Sequence, residues 1–273
     1  MGVRINTNVS ALNTQRHLYN STISFNKSME KLASGLRINR AADDAAGLAI
    51  SEGLKGDIRA LGQAARNASD GISLVQTAEG ALDEVSNILL RMKELTEQSL
   101  GGTLSGSQQD HLQAEYSELM SEIDRIAVGT EYNAINLLDG SLSTNIQVGI
   151  DTGVPSTINI TLGTATDTTG LGLSQGIGQA GNPAGALSEV DVAITAVGTA
   201  RAEFGAKQNR LESSVRNINN RSENLSAANS RIRDVDVASE TSRMTSFQIL
   251  QQAGVSVLSQ ANMTTGLAMS LLG

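Results

Sequence analysis

Apolar residues recur along most of the chain at steps of three and four, the signature of helices packed side by side. In the first segment Ile5, Val9, Leu12, Tyr19, Ile23, Met29, Leu32 and Leu36 keep that rhythm, with Arg16 and Asn26 filling the gaps. This stripe is narrow, as in a coiled-coil seam, and Gly35 is expected to end the helix. A second, longer stripe runs through Leu54, Ile58, Leu61, Ala65, Ala68, Ile72, Val75, Leu82, Val85, Leu89 and Met92. Asp43 or Asp44 is placed to cap its start, and Gly101-Gly102 to stop it. At 1.5 Å per residue such a helix is roughly 80 Å long, a length that belongs to bundles and coiled coils. A third helix follows, capped by Ser107 and lined by Leu112, Tyr116, Leu119, Ile123 and Ile126.

The period then changes. Asn133 to Gly140 reads as a loop. Asn145–Ile150 and Ile158–Leu162 alternate with a period of two and predict a β-hairpin around Asp151–Ser156. Residues 163–185, rich in Gly, Thr, Ser and Gln, read as an exposed connection. A fourth helix has a strict stripe through Leu187, Val190, Ile194, Val197, Phe204, Leu211, Val215, Ile218, Leu225 and Ile232, whose average step of 3.5 is that of a left-handed supercoil. From Met244 to Gly273 there is no charged residue, yet Phe247, Leu250, Val257, Leu258, Leu267 and Leu271 recur among Gln, Ser and Asn. A helix without a charged face has to bury most of its surface, against a partner or against other copies. The expected fold is therefore mainly α. It is a long antiparallel bundle or coiled coil made by pairing the N- and C-terminal segments, with a small β-hairpin in the middle.

Composition sharpens this picture. Aromatic residues make up 2% of the 273 positions, and both prolines, Pro155 and Pro183, lie in the middle, which suits long uninterrupted helices. With no cysteine there is no disulfide framework, thiolate metal site or thiol nucleophile. The net charge of −8 argues against a nucleic-acid partner. No run approaches 18 apolar residues, so no membrane span is expected, and Met1–Asn6 has no apolar signal core. The uncharged tail also lacks the Lys/Arg rim of a membrane-lying helix. Candidate chemistry is sparse. His17 and His111 are the only histidines and no HExxH motif occurs; Asp43-Asp44 suits a cap better than a catalytic pair; the glycines at 170, 172, 176 and 178 lack the strand–helix setting of a phosphate loop. No enzyme, metal site or cofactor is expected.

Several stretches together carry a family resemblance. Residues 26–51 read Asn-Lys-Ser-Met-Glu-Lys-Leu-Ala-Ser-Gly-Leu-Arg-Ile-Asn-Arg-Ala-Ala-Asp-Asp-Ala-Ala-Gly-Leu-Ala-Ile-Ser. That stretch closely resembles the N-terminal signature of bacterial flagellins, as does the opening Ile5-Asn6-Thr7-Asn8. Leu89–Leu95, Glu122–Ala127, Tyr132-Asn133 and Leu137–Gly140 resemble the same family, and Ser230–Asp236 with Gln260-Ala261-Asn262 resembles its C-terminal signature. The resemblance covers about residues 1–140 and 186–273, so the chain looks like a short flagellin without large outer domains.

The resemblance implies a structural subunit that polymerises into the flagellar filament for swimming, located outside the cell. Three parts are implied: 1–42 with 234–273 as a terminal coiled coil forming the inner tube, 43–140 with 186–233 as a helical rod forming the outer tube, and 141–185 as a short variable insert. The implied partners are copies of the chain, a filament cap, a hook-associated junction protein and an export chaperone on the type III route. The residues expected to make the inter-subunit or terminal coiled coil are Ile5, Val9, Leu12, Ile23, Met29, Leu32, Leu36, Phe247, Leu250, Val257, Leu258, Leu267 and Leu271. In flagellins sensed by a host innate immune receptor, that receptor reads an Arg, a Leu and a Glu, which fall here on Arg91, Leu95 and Glu115. The competing reading of these three places Leu95 in the core stripe after Met92 and gives Arg91 and Glu115 to subunit contacts.

Overall fold

The computed structural model describes residues 7–151 and 156–270, with the side chains of 264–270 excepted. Five helices are described: α1 (Val9–Ser34), α2 (Ala45–Leu100), α3 (Gly106–Gly129), α4 (Pro183–Arg233) and α5 (Val237–Ser270). Four short strands lie between α3 and α4: β1 (Glu131–Tyr132), β2 (Ile135–Asn136), β3 (Ser143–Gln147) and β4 (Thr157–Thr161). The chain divides into two compact units, one of Met1–Gly56 with Asn224–Gly273 and one of Asp57–Glu223. Both α2 and α4 contribute to each.

Helix ends follow the expected capping chemistry. Gly35 adopts φ +70°, a left-handed conformation that costs an L side chain roughly 1–2 kcal/mol. Of the two aspartates before α2, Asp44 is the cap: its Oδ1 accepts the Gly47 N–H at 2.8 Å. The cap of α3 is Ser105 rather than Ser107, and the Gln108 Oε1 accepts the Ser105 N–H at 2.9 Å. Pro183 occupies the first turn of α4, where its missing N–H costs nothing, and Asn182 accepts the Gly185 N–H. Asp236 accepts the Ala238 N–H at 3.0 Å and so opens α5.

In the larger unit the predicted stripes meet. Leu82, Val85, Leu89 and Met92 of α2, Tyr116 and Ile123 of α3, and Val190, Val197, Phe204 and Leu211 of α4 are buried in one core. The expected hairpin forms, β3 antiparallel to β4 with Ile146 opposite Ile158, but its first strand starts two residues earlier and stops at Gln147, leaving Val148–Ile150 outside it; Ile158 and Ile160 close the core. Two expectations fail here. Within Tyr132–Asn136 the chain makes a two-residue hairpin, with Asn133 at φ 52° and Ala134 at φ 60°, and Leu137 and Leu138 behind it are fully buried. Nor is the 163–182 segment an exposed connection. Leu171, Leu173 and Ile177 join the core and Thr166 and Thr168 are buried. Side chains of the neighbouring helices satisfy its backbone: Asp124 accepts from Thr168, Gln113 Oε1 from the N–H groups of Ile177 and Gly178, and Glu189 from Ser174 and Gln175. Periodicity cannot reveal a segment held in this way, because no repeating backbone pattern is involved.

Candidate assembly surface

The smaller unit pairs α1 with α5, and the seam is set by residues of unexpected character. On α5 the buried and half-buried positions include Glu240, Met244, Phe247, Gln251, Gly254, Leu258 and Ala261, at steps of four and three, with Thr241 half-buried beside Glu240. On α1 they include Ala11, Thr14, Leu18, Ser21, Phe25, Ser28 and Leu32, again at three and four. Such spacing is that of a left-handed two-stranded seam. Three contacts fix its antiparallel order. Asn8 Nδ2 donates to the Ala261 carbonyl at 2.8 Å, while its Oδ1 caps α1 by accepting from Ala11. Gln251 Nε2 donates to Thr22 Oγ1 at 2.9 Å. Between them Leu18 lies over Gly254: a Cβ built there would stand 3.2 Å from Leu18 Cδ1. A glycine inside a helix destabilises it by roughly 0.5–1 kcal/mol relative to alanine, and this close approach accounts for its presence.

The turns flanking the pair are tied together. Leu36 bridges Asp234; the Arg37 N–H donates to the Arg233 carbonyl at 2.6 Å and the Val235 N–H to the Gly35 carbonyl at 3.0 Å. The Arg37 guanidinium donates to the Ile232 carbonyl, neutralising the C-terminal end of α4. Lys27 Nζ meets Asp43 Oδ1 at 2.7 Å; this contact, with N–H groups of Arg40 and Asn39, holds the Asp43 carboxyl below the usual carboxylate range against a smaller opposing effect of burial.

The predicted coiled-coil residues divide. Leu32, Leu36, Phe247 and Leu258 are half-buried, Leu32, Phe247 and Leu258 in the seam and Leu36 at the bridge to Asp234. Val9, Leu12, Ile23, Met29, Leu250 and Val257 are not in it: they are exposed, from 48% for Met29 to 58% for Leu12. Tyr19, Ile249, Val255 and Met263 are exposed with them. Ile5 and Leu271, and the side chain of Leu267, lie outside the described residues. The apolar stripe legible on α1 is thus its outer face, and the pairing face carries Ala, Thr and Ser. The signal that marks the true seam is the heptad of small and polar residues that includes Gly254.

The other predicted cluster also divides. Arg91 donates to Glu115 Oε1 from Nε and Nη2 at 3.0 and 2.8 Å, and to Glu94 Oε2 at 2.9 Å. These hydrogen bonds raise the Arg91 pKa further. Both Arg91 and Glu115 are open to solvent, but Leu95 is 1% exposed and belongs to the core; the apolar neighbour at the surface is Leu90. Leu95 therefore supplies no exposed anchor. Among the described residues there is no cluster of three or more His, Cys, Asp or Glu arranged to hold a metal, and no helix long and apolar enough to cross a membrane.

Comparison with known proteins decides the family. The bacterial flagellin N-terminal helical region matches residues 5–143, and the bacterial flagellin C-terminal helical region matches 187–272. The chain belongs to the bacterial flagellin family. It is 45% identical to a flagellin of Halalkalibacterium halodurans over 98% of this chain and 99% of that one. It is 42% identical to the flagellin of Bacillus subtilis over 95% and 96% of the two chains. It is also 42% identical to the flagellar filament 33 kDa core protein of Treponema phagedenis, over 98% and 99%. The crystal structure of Bacillus cereus flagellin superposes with a TM-score of 0.50 at 33% identity, covering 56% of this chain and 88% of that one. A putative flagellar hook-associated protein of Vibrio parahaemolyticus shares the fold, with a TM-score of 0.59 at 13% identity over 70% and 100% of the chains. As a flagellin this chain is a structural subunit of the flagellar filament, an extracellular appendage, and not an enzyme.

Proposed function

We propose that the subunit polymerises by laying the outer faces of α1 and α5 against other copies of itself. The observation that carries this reading is the exposure of Leu12, Tyr19, Ile23, Ile249, Leu250 and Val257 on a helix pair already closed through its other face. Exposed apolar surface of this extent, on a tail without charge from Met244 onward, needs a partner, and a homopolymer supplies the same partner to every subunit. Residues 1–42 and 234–273 then form the inner tube and 43–140 with 186–233 the outer tube, with 141–185 as a short insert. An export chaperone holds the C-terminal segment during type III export, a cap directs addition at the tip, and a hook-associated junction protein joins the filament base.

The test is seeded growth. Purified chain added to short filament seeds is expected to extend them into long tubes visible by electron microscopy. The chain lacking Gln251–Gly273 is expected to extend none while keeping the helical circular dichroism of the larger unit. Normal tubes from the truncated chain would overturn the reading. A host immune receptor is a second partner of the free subunit, through Arg91 and Glu115 with Leu90 beside them; the paired, exposed Arg91–Glu115 charges favour it.

A further inference from the structure

We propose that the outer face of α4 receives the α3–hairpin corner of a second copy, with Val128 and Ile135 entering an apolar trough and Glu131 meeting the basic stripe beside it. The trough, about 660 Å³, runs along α4 past Ala184, Ser188, Val192, Thr195, Ala196 and Thr199. A second hollow shares Ala196 and Thr199 and continues it against residues 162–166. Most of these side chains are small, so a partner has to bring the bulk. The charged lining residues are Asp191, which Lys93 holds at 2.7 Å, and Glu203. One turn after Glu203 the same face of α4 becomes basic. At about 100° per residue Lys207, Arg210 and Arg221 fall within roughly 60° of one another. In a chain of net charge −8, none of the three makes an ion pair among the described residues.

The corner complements this face in both bulk and sign. Val128, on the last turn of α3, is 67% exposed, and Ile135 is exposed in the tight hairpin that follows. Glu131 between them is exposed and makes no ion pair, and α3 is acidic, with Arg125 as its one Arg or Lys. The other large apolar residues exposed on this unit suit the trough less well: Val192 lies in it, Leu90 stands among charges already paired to one another, and Leu100 ends α2. Within one chain the segment 162–171 stands between corner and trough. Its Thr168 is held by Asp124, one turn before Val128, and its 162–166 stretch borders the trough against α4. A helical polymer requires two different, complementary surfaces on every subunit, because head-to-tail contact leaves the row of copies open. Exposed apolar bulk facing a trough, with unpaired charges of opposite sign, meets that requirement. This inference rests on the assembly reading above and adds a contact on the larger unit to the terminal one.

The chain contains no cysteine, so an introduced one is unique. Seeded filaments co-assembled from Ile135→Cys chain and Thr195→Cys chain are expected to yield a covalent dimer on oxidation, while filaments of either variant alone yield only monomer. Arg210→Glu is expected to slow seeded elongation about fivefold at low ionic strength, with the deficit shrinking as salt is added. Adding Glu131→Arg to the same chain reverses the sign of both partners and is expected to restore the rate to within about twofold of the parent. Neither side chain has an ion pair to lose in the free subunit, so both variants should keep the parent's melting temperature. Absence of the mixed dimer from filaments that contain both cysteine chains, an unchanged rate in Arg210→Glu, or no recovery in the exchanged pair would overturn the proposal. Leu250→Ser separates the two readings. Normal elongation of that variant removes the terminal assembly surface while the mixed dimer still reports this contact; slow elongation without the mixed dimer removes this contact and keeps the terminal surface.

Discussion

The Asp124 carboxylate accepts both the backbone N–H and the hydroxyl of Thr168, each at 2.8 Å, across 44 residues of chain. It anchors an irregular segment that carries Leu171, Leu173 and Ile177 into the core. Asp124→Ala leaves the N–H and hydroxyl of buried Thr168 without their partner. Hydrogen bonds to a charged group contribute about 1.5–3 kcal/mol each way of counting, so a loss of roughly 2–3 kcal/mol is expected. Thermal unfolding of the variant should show it, and Asp124→Asn should recover part. A melting temperature unchanged in Asp124→Ala would mean that the segment is held by its apolar residues alone.

Glu189 predicts a pH dependence. Burial would raise its pKa, but the N–H groups of Ser174 and Gln175 and the Ser174 hydroxyl outweigh it and the folded value lies below the ordinary 4.5. A carboxyl lowered on folding stabilises the native state above its unfolded pKa, and that contribution is lost as pH falls through the folded value. Stability of the parent should therefore drop as pH falls below about 4.5, and Glu189→Gln should lower stability at pH 7 while flattening this acid limb. Denaturant melts between pH 7 and 3 test it; parallel curves for the two proteins would refute the assignment.

Tyr116 is fully buried and its hydroxyl has no hydrogen-bond partner among the described residues. Burial, with Glu189 nearby, pushes its pKa up to about 12. An unpaired buried hydroxyl costs about 1–3 kcal/mol, so Tyr116→Phe is expected to leave stability unchanged or to raise it by about 1 kcal/mol. A large loss in a denaturant titration would reveal a partner for the hydroxyl.

Leu95 and Arg91 should separate cleanly despite lying one turn apart. Leu95→Ala removes a core side chain and is expected to cost about 2–5 kcal/mol. Arg91→Ala breaks only exposed ion pairs, which water and salt screen, and should leave the melting temperature nearly unchanged. In a receptor reporter assay the Arg91→Ala monomer is expected to be at least tenfold weaker, about 1.4 kcal/mol, and assembled filament to be inactive. A full response from folded Arg91→Ala monomer would remove the patch.

Much of this protein is determined by its sequence alone. The four stripes of α1 to α4, the alternation that marks the central hairpin, and the glycine and aspartate at helix ends all act through local geometry, and the elements appear there, with the first hairpin strand shifted to Ser143–Gln147. The uncharged tail likewise states in composition that its surface has to be covered. What local periodicity leaves undetermined is which of two faces a helix turns toward its partner. On α1 the more apolar stripe, Val9, Leu12, Tyr19 and Ile23, faces outward, and the seam is built from Ala11, Thr14, Ser21 and Ser28 around Leu18 and Phe25. Only the tertiary structure decides this, because close approach of two backbones rewards small residues such as Gly254, while the apolar stripe stays exposed on the opposite face. The 163–182 segment is the second such case: its polar residues look solvated in sequence, and it is the side chains of Asp124, Gln113 and Glu189, distant in the chain, that satisfy its backbone and allow it to be buried.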